Sequence, residues 1–529
     1  MKKKLILTYL LGSLLVSLKA QEIINIKQFG AVADGKTVNT KAIQKAIDAC
    51  AQNGGGQVII PNGVFISGTI KLKDNVALYL EPSAVLKGSP DYKDYEWEPY
   101  EVGKNEKRRA LISGRNLTNV AILGRGTIDG NGGHKNFQGK NNYGGIGGGV
   151  RPFPISISRS TAVKIKDISV INGAFWNMKI DACDDVLIDG ITIKSRIVAN
   201  NDGIDIVDCY NVRIANCNVF SGDDGICLKS NTKRGVKNVT VTNCVVSSES
   251  NALKLGAVGR GPFENIVFSN CTVYDTRLSG IAFEIVDGGR ADRVIFSNIT
   301  MHNTNGAIFL KCDTRADAVG TQVKNIIISD IIADGIGKWR ADTTIKYHKK
   351  EFDERIGMVI SGNDQCPIEN VTLSNIHLQF AGGAKAGDAQ PTMVDKNAHG
   401  YPDYYTWGIT PAYGINCNYV NGIRFNNIVM DFIAAQDERP AFYFQNSGDV
   451  VLDNIQAKTS SSAPSYIRFN TIKGAYITNN KPRFAKIPFC SFEGMAEDVS
   501  IVNNDLSGTS VPYILKGKID EKQITAKNN

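Results

Sequence analysis

The chain has no CxxC pair and no cysteine–histidine spacing of the zinc-ligand kind. Its 11 cysteines, an odd number scattered from Cys50 to Cys490, give no sign of a dense disulfide framework. No GxSxG, P-loop or HExxH motif occurs, so serine-hydrolase, phosphate-loop and zincin chemistries lack their usual sequence support. The five histidines, His134, His302, His348, His377 and His399, all lie far in sequence from the acidic cluster described below. Beyond residue 20 no apolar run approaches membrane length. Charge is also scarce. The formal net charge is +8, and setting aside the four lysines of residues 1–20 leaves +4. That is too mild to argue for a nucleic-acid partner, and it would not repel an acidic polysaccharide.

What is present is a composition for folding: 42% hydrophobic and 21% charged residues in a chain of 529, with 52 glycines that suit a turn-rich all-β protein. Residues 1–20, "MKKKLILTYLLGSLLVSLKA", put three lysines before an apolar run from Leu5 to Leu18. That is the pattern of a secretory signal peptide cut after Ala20, and it predicts a secreted or periplasmic product. No cysteine follows closely, so no lipid anchor is expected there.

One pattern recurs, with copies starting at Val163, Val186, Val212, Val239, Ile266, Val294, Ile326, Val371, Ile423 and Val450. Each alternates apolar and polar residues, breaks at Asn, Asp or Gly, then resumes with an apolar residue, as in "VRIANCNV" and "VTVTNCVV". Alternation at period two means strands with one buried face. The central Asn or Asp tolerates the left-handed backbone of a sharp corner. Short strands repeating every 20 to 30 or so residues predict a stacked solenoid, whose coils bury each other's inner face. The expected fold is all-β, a right-handed parallel β-helix. Cys217, Cys244 and Cys271, spaced 27 apart with Ile299 next in the row, then read as a ladder of buried thiols acting as small hydrophobes.

Ahead of the repeats, Ala42, Ile43, Ala46, Ile47 and Cys50 recur at helical spacing. The spacing predicts an N-terminal capping helix that starts at Asn39 or Thr40, ends at Gly54 to Gly56, and covers the open end of the solenoid. Residues 21–529 are expected to form a single β-helix domain. The wide gaps near 338–370 and 380–422 are expected as long loops. The second carries Tyr401, Tyr404, Tyr405, Trp407 and Tyr413, which suit either stacking on sugar faces or packing within the loop.

Against this apolar pattern stands "NDGIDIVDCYNVRIANCNVFSGDDG", residues 201–225. Asp202 and Asp223, 21 apart, are expected at about the same angular position on successive coils, with Asp224 adjoining. Rungs of a solenoid wall are ~4.8 Å apart, so three carboxylates would converge. Like charges that close raise at least one pKa, which yields a proton donor beside an ionised base. The same acids also suit Ca²⁺ binding or corner positions that accept backbone N–H groups. Asp205 and Asp208 are read as corner or ladder residues outside the site.

Several stretches carry a family resemblance. "FGAVADGKTVNTKAIQKAIDACAQNGGGQVIIPNGVFISGTI", "ILGRGTIDGNGG", "GAFWNMKIDACDDVLIDGITI" and "YPDYYTWGITPAYGINCNYVNGIRFNNI" resemble segments of glycoside hydrolase family 28, the polygalacturonase-like pectin hydrolases, across roughly residues 23–460. The family's Asn-Thr-Asp motif matches Asn200 to Asp202 and its Gly-Asp-Asp motif matches Gly222 to Asp224. By resemblance Asp223 is the general acid, while Asp202 and Asp224 activate water in a single inverting displacement that needs no metal or cofactor.

Two departures stand out. The family's Gly-His-Gly motif lines up with "SNALKLG", which puts Asn251 in place of the histidine and Lys254 nearby. Its Arg-Ile-Lys motif lines up with "GIAFEIVDGG", which puts Ala282 and Glu284 in place of two cations. That loss argues against plain homogalacturonan. Asn200, Lys229, Asn251, Lys254, Glu284 and Trp176 are the candidate substrate contacts; Lys229, Lys254, Glu284 and Trp176 read equally well as structural or solvated side chains.

The resemblance implies a hydrolase acting on a pectin-type polysaccharide or its oligosaccharides, and a monomer is expected. Three other readings stay open: a Ca²⁺-dependent polysaccharide lyase, a non-catalytic glycan-binding β-helix, and a hydrolase for another polysaccharide such as a galactan.

Overall fold

Alternating apolar residues force each strand to turn one face inward, and parallel stacking lets every coil complete the core of the next. The computed structural model describes residues 22–99, 107–137, 151–338, 355–483 and 486–529; the expected signal peptide lies outside them. The chain winds as a right-handed parallel β-helix. Its strand pairings are parallel apart from an antiparallel pair joining Trp97–Pro99 to Lys107–Arg115.

Three walls make up each coil. In one coil they are Met178–Asp181, Asp184–Asp189 and Thr192–Ser195; in the next, Ile204–Val207, Tyr210–Ala215 and Asn218–Ser221. The ten repeat copies stack in register on the middle wall, from Val163 against Val186 through to Ile423 against Val450. The breaks fall as the spacing predicts. Asp167, Asn216, Asn243, Asn270, Asn298 and Asp330 all have φ between 54° and 62°. Their amides bond along the column, Asn243 Nδ2 donating to Asn216 Oδ1 at 3.3 Å and Asn298 Nδ2 to Asn270 Oδ1 at 3.2 Å.

The core runs the length of the coil interior, with stacked rings such as Phe268 on Phe296, centroids 4.6 Å apart. The 11 cysteines are buried, with no disulfide among the described residues, and Ile299 takes the rung after Cys271. The N-terminal helix spans Thr40–Gln52 and buries Ile43, Ala46, Ile47 and Cys50. Asn39 sits at its N-cap without a capping bond. Its side chain instead ties the backbone of Val32 and Thr37.

The two wide gaps are not unbroken loops. Each contributes a strand to the first wall, Met358–Ser361 and Ile415–Asn418, with the latter pairing directly onto the former. Residues 339–354 of the first gap lie outside the described residues.

Candidate active site

The corner between the third wall and the first positions the acids. Backbone bonds stack this corner from coil to coil: Gly203 N donates to Asp224 O at 2.8 Å, and Gly225 N to Asn251 O at 2.8 Å. Asp202, Asp224 and Asn251 therefore occupy equivalent rungs, since Ile204 pairs with Ile226 and Ile226 with Leu253. The expected alignment of Asp202 with Asp223 is off by one residue. Each acid is followed by a glycine because coils touch there. A Cβ on Gly203 would lie 2.4 Å from Gly225 O, and one on Gly225 would lie 2.5 Å from Ala252 O.

Asp202, Asp223 and Asp224 each bring a carboxylate oxygen within 4.8 Å of the others. All three line a cavity of about 370 Å³ together with Trp176, Asn200, Lys229, Arg277, Tyr401, Asp403 and Tyr405. Asp202 and Asp224 are each 4% exposed, and Asp223 is more open. Asp223 Oδ1 accepts from Asp224 N at 2.9 Å. Asp202 Oδ1 is buried without a hydrogen-bond partner.

Two buried lysines hold the acids from behind. Lys229 Nζ bonds to Asp205 and lies 3.3 Å from Asp202 Oδ2, over the Trp176 ring at 4.3 Å. Lys254 Nζ lies 3.0 Å from Asp224 Oδ2 and 2.8 Å from Glu284 Oε2, and donates to Tyr401 Oη at 3.2 Å. These ammonium groups offset the charge of Asp202 and Asp224 while also pairing with Asp205 and Glu284.

The environments separate the protonation states. Burial and the neighbouring Asp224 charge raise Asp223. Burial and the Asp205 charge raise Asp202 well above the usual carboxylate range, against the pull of Lys229. Asp224 is also buried, but Lys254, Lys229 and the hydrogen bond from Lys254 outweigh this and lower it. Both lysines are pushed down by burial, yet their carboxylate partners raise them well above normal, so they stay charged. An adjacent raised and lowered pair is the arrangement that lets one carboxyl donate a proton while its neighbour accepts one.

The other sequence candidates divide. Trp176, Asn200 and Lys229 line the cavity. Asn200 has φ 54° and accepts from Arg151 Nη2 at 3.1 Å. Asn251, Lys254 and Glu284 do not reach it as substrate contacts; they are 2%, 1% and 1% exposed and form a layer behind Asp224. Asn251 N donates to Asp224 Oδ1 at 3.3 Å and its Nδ2 to Glu284 Oε1 at 3.2 Å.

Asp208 is a corner residue, with φ 50° and bonds from Asn231 N and Thr232 N. Asp205 is not. It is wholly buried on Lys229, and burial pushes it up to about 6 against that lysine's pull. Strict alternation through Ile204 and Ile206 points Asp205 away from the core, onto the face that carries Lys229, and that signal was readable. Arg277, Tyr401, Asp403 and Tyr405 complete the cavity wall. Of the aromatic cluster, Tyr401 and Tyr405 face it, while Tyr404, Trp407 and Tyr413 are packing residues at 1%, 3% and 1% exposure.

The sequence pattern of "Glycosyl hydrolases family 28" matches residues 50–396. A polygalacturonase of Juniperus ashei is 26% identical over 415 residues, covering 74% of this chain and 73% of the relative. An endo-polygalacturonase of Pectobacterium carotovorum is 30% identical over 214 residues, covering 37% and 52%. The aligned stretch thus spans about half the length of several curated relatives. Among solved structures, the family 28 exopolygalacturonase of Yersinia enterocolitica superposes with TM-score 0.63 at 21% identity, covering 82% of this chain and 78% of that one. The exopolygalacturonase of Thermotoga maritima gives 0.60 at 19%, covering 78% and 92%. With 347 of its residues inside the family pattern and the family's β-helix as its fold, this chain belongs to glycosyl hydrolases family 28.

Proposed function

We propose that this O-glycosyl hydrolase cleaves a pectin-type acidic polysaccharide, galacturonan or rhamnogalacturonan, or the oligosaccharides derived from it. The observation that carries the reading is the convergence of three carboxylates within 4.8 Å on the wall of one cavity. Asp223, the most open and raised in pKa, protonates the leaving glycosidic oxygen. Asp224, kept ionised by Lys254, takes a proton from the attacking water. Asp202 offers its unpartnered Oδ1 to the same water. By family resemblance the water attacks the face opposite the leaving group and inverts the anomeric centre, although the carboxylates lie closer than the ~6.5–9.5 Å common in inverting pairs. The relatives' names support the substrate class, and the leader-like residues 1–20 support export.

Lysine-based elimination fits poorly. A lyase needs a neutral base, and both lysines here are buried in ion pairs that keep them protonated. A second reading has one observation in its favour. Acids in the cavity wall, Asp202, Asp223, Asp224 and Asp403, outnumber the cations Lys229 and Arg277, which suits a less acidic glycan such as a galactan.

The test is reducing-end release across homogalacturonan, rhamnogalacturonan and galactan fragments, with Asp223→Asn as control. Loss of the proton donor should slow the preferred substrate about 10²–10⁴-fold. Near-parental turnover by Asp223→Asn would refute its role. Ultraviolet-absorbing unsaturated products would establish a lyase.

A further inference from the structure

The layer behind Asp224 is built around one lysine. Lys254 comes from the strand Leu253–Gly259, one coil beyond the acids, and Glu284 from the next coil. At 1% exposure Lys254 has no path to a sugar. Its ammonium group is committed to Asp224 Oδ2 at 3.0 Å and Oδ1 at 3.4 Å, Glu284 Oε2 at 2.8 Å and Tyr401 Oη at 3.2 Å. Asn251 bridges the same two carboxylates through Nδ2, while its Oδ1 is held by Ser279 N at 3.1 Å.

Resting on the reading of Asp224 as the base, we infer that Lys254 is a positioning residue. It fixes the Asp224 carboxylate, ionised and correctly turned, at the cavity wall, while Glu284 and Asn251 anchor it from the rear. Ion pairs to two carboxylates and a hydrogen bond to a phenol hold this long, flexible side chain in one geometry. The pair also couples the chemistry to the 380–422 segment, because Tyr401 both lines the cavity and receives the third Lys254 bond. Other charged or titratable groups facing this layer are Lys229, Cys227, Asp223, Asp403, Arg315, which lies 5.4 Å over the Tyr401 ring, and Lys311, which pairs in register with Glu284 and bonds to Asp313 and Asp395.

The experiment compares the parent with Lys254→Met and with the charge-neutral double variant Lys254→Met/Glu284→Gln. The double variant leaves no unpaired buried charge from the pair and keeps the test open if the single variant fails to fold. The expected result is a kcat lowered 10-fold or more with KM within about threefold, and an acid limb of kcat/KM displaced to higher pH because Asp224 then holds its proton longer. A structural role alone would reduce folded protein without moving that limb.

A readout independent of turnover is the urea midpoint against pH. Asp224 is lowered in the folded parent, so its contribution is present above the unfolded value and is lost as pH falls through the folded one. The double variant should lack this acid-side loss. If it retains both the parental limb and the parental acid-side loss, Lys254 has no such role. If the parent releases no reducing ends while the urea difference appears, the enzymatic reading fails and the clamp on Asp224 stands.

Discussion

Lys229→Met is the perturbation whose cost the structure constrains best. Lys229 is 6% exposed and is the cation in contact with Asp202 and the wholly buried Asp205. Methionine fills similar volume over Trp176, so the packing loss is small. The electrostatic loss is not. Removing one partner of a buried pair costs about 3–5 kcal/mol, because the remaining acid must either stay charged without a partner or bind a proton.

That cost must depend on pH. Asp205 already titrates at about 6 in the parent, and without Lys229 it rises further. Below about pH 6 both proteins hold the Asp205 proton and differ little. Above it the parent releases the proton and the variant keeps it. A carboxyl with a raised folded pKa stabilises the fold at low pH, and that stability is lost as pH rises through the folded value. The deficit should therefore grow by up to ~1.4 kcal/mol per pH unit for each retained proton.

Urea unfolding at pH 5.5 and pH 8, with m-values compared, is the assay. We predict a deficit near pH 8 of about 3–5 kcal/mol and less than half of it at pH 5.5. A deficit that is flat with pH, or below about 1 kcal/mol at both, would refute the assignment of Lys229 as the counter-ion of Asp202 and Asp205.

Other outcomes follow from particular contacts. Phe296→Ala removes a ring stacked on Phe268 at 4.6 Å and packed on Phe283 at 5.3 Å, and should cost about 3–5 kcal/mol of stability in denaturant titration. Tyr401, Asp403 and Tyr405 wall one side of the cavity, so we predict release of short products from chain ends, seen by chromatography at early times; random mid-chain cuts would contradict it.

Much of this was readable in the residues. Period-two alternation placed the repeat wall in register, and the Asn and Asp breaks marked left-handed corners, because few other residues adopt that backbone. The convergence of the three acids was also legible. Its register was not, since a corner's residue count decides whether Asp223 or Asp224 lies over Asp202. Lys254 and Glu284 read as groove residues because local sequence does not reveal long-range contacts such as the Lys254–Tyr401 bond, which joins positions 147 apart. The same long-range packing separates Tyr401 and Tyr405 from Tyr404 and Trp407, which differ in nothing that local sequence encodes. Alternation alone turns Asp205 onto the Lys229 face.

The central claim is that Asp223, Asp224 and Asp202 act together on one glycosidic linkage. A crystal structure of Asp223→Asn with an uncleaved oligosaccharide tests it most directly. The bridging oxygen is expected within ~3 Å of the side chain at position 223, with a water within hydrogen-bond reach of both Asp202 and Asp224 on the far face of the same sugar. A sugar chain bound elsewhere on the solenoid, with no linkage near these carboxylates, would contradict it.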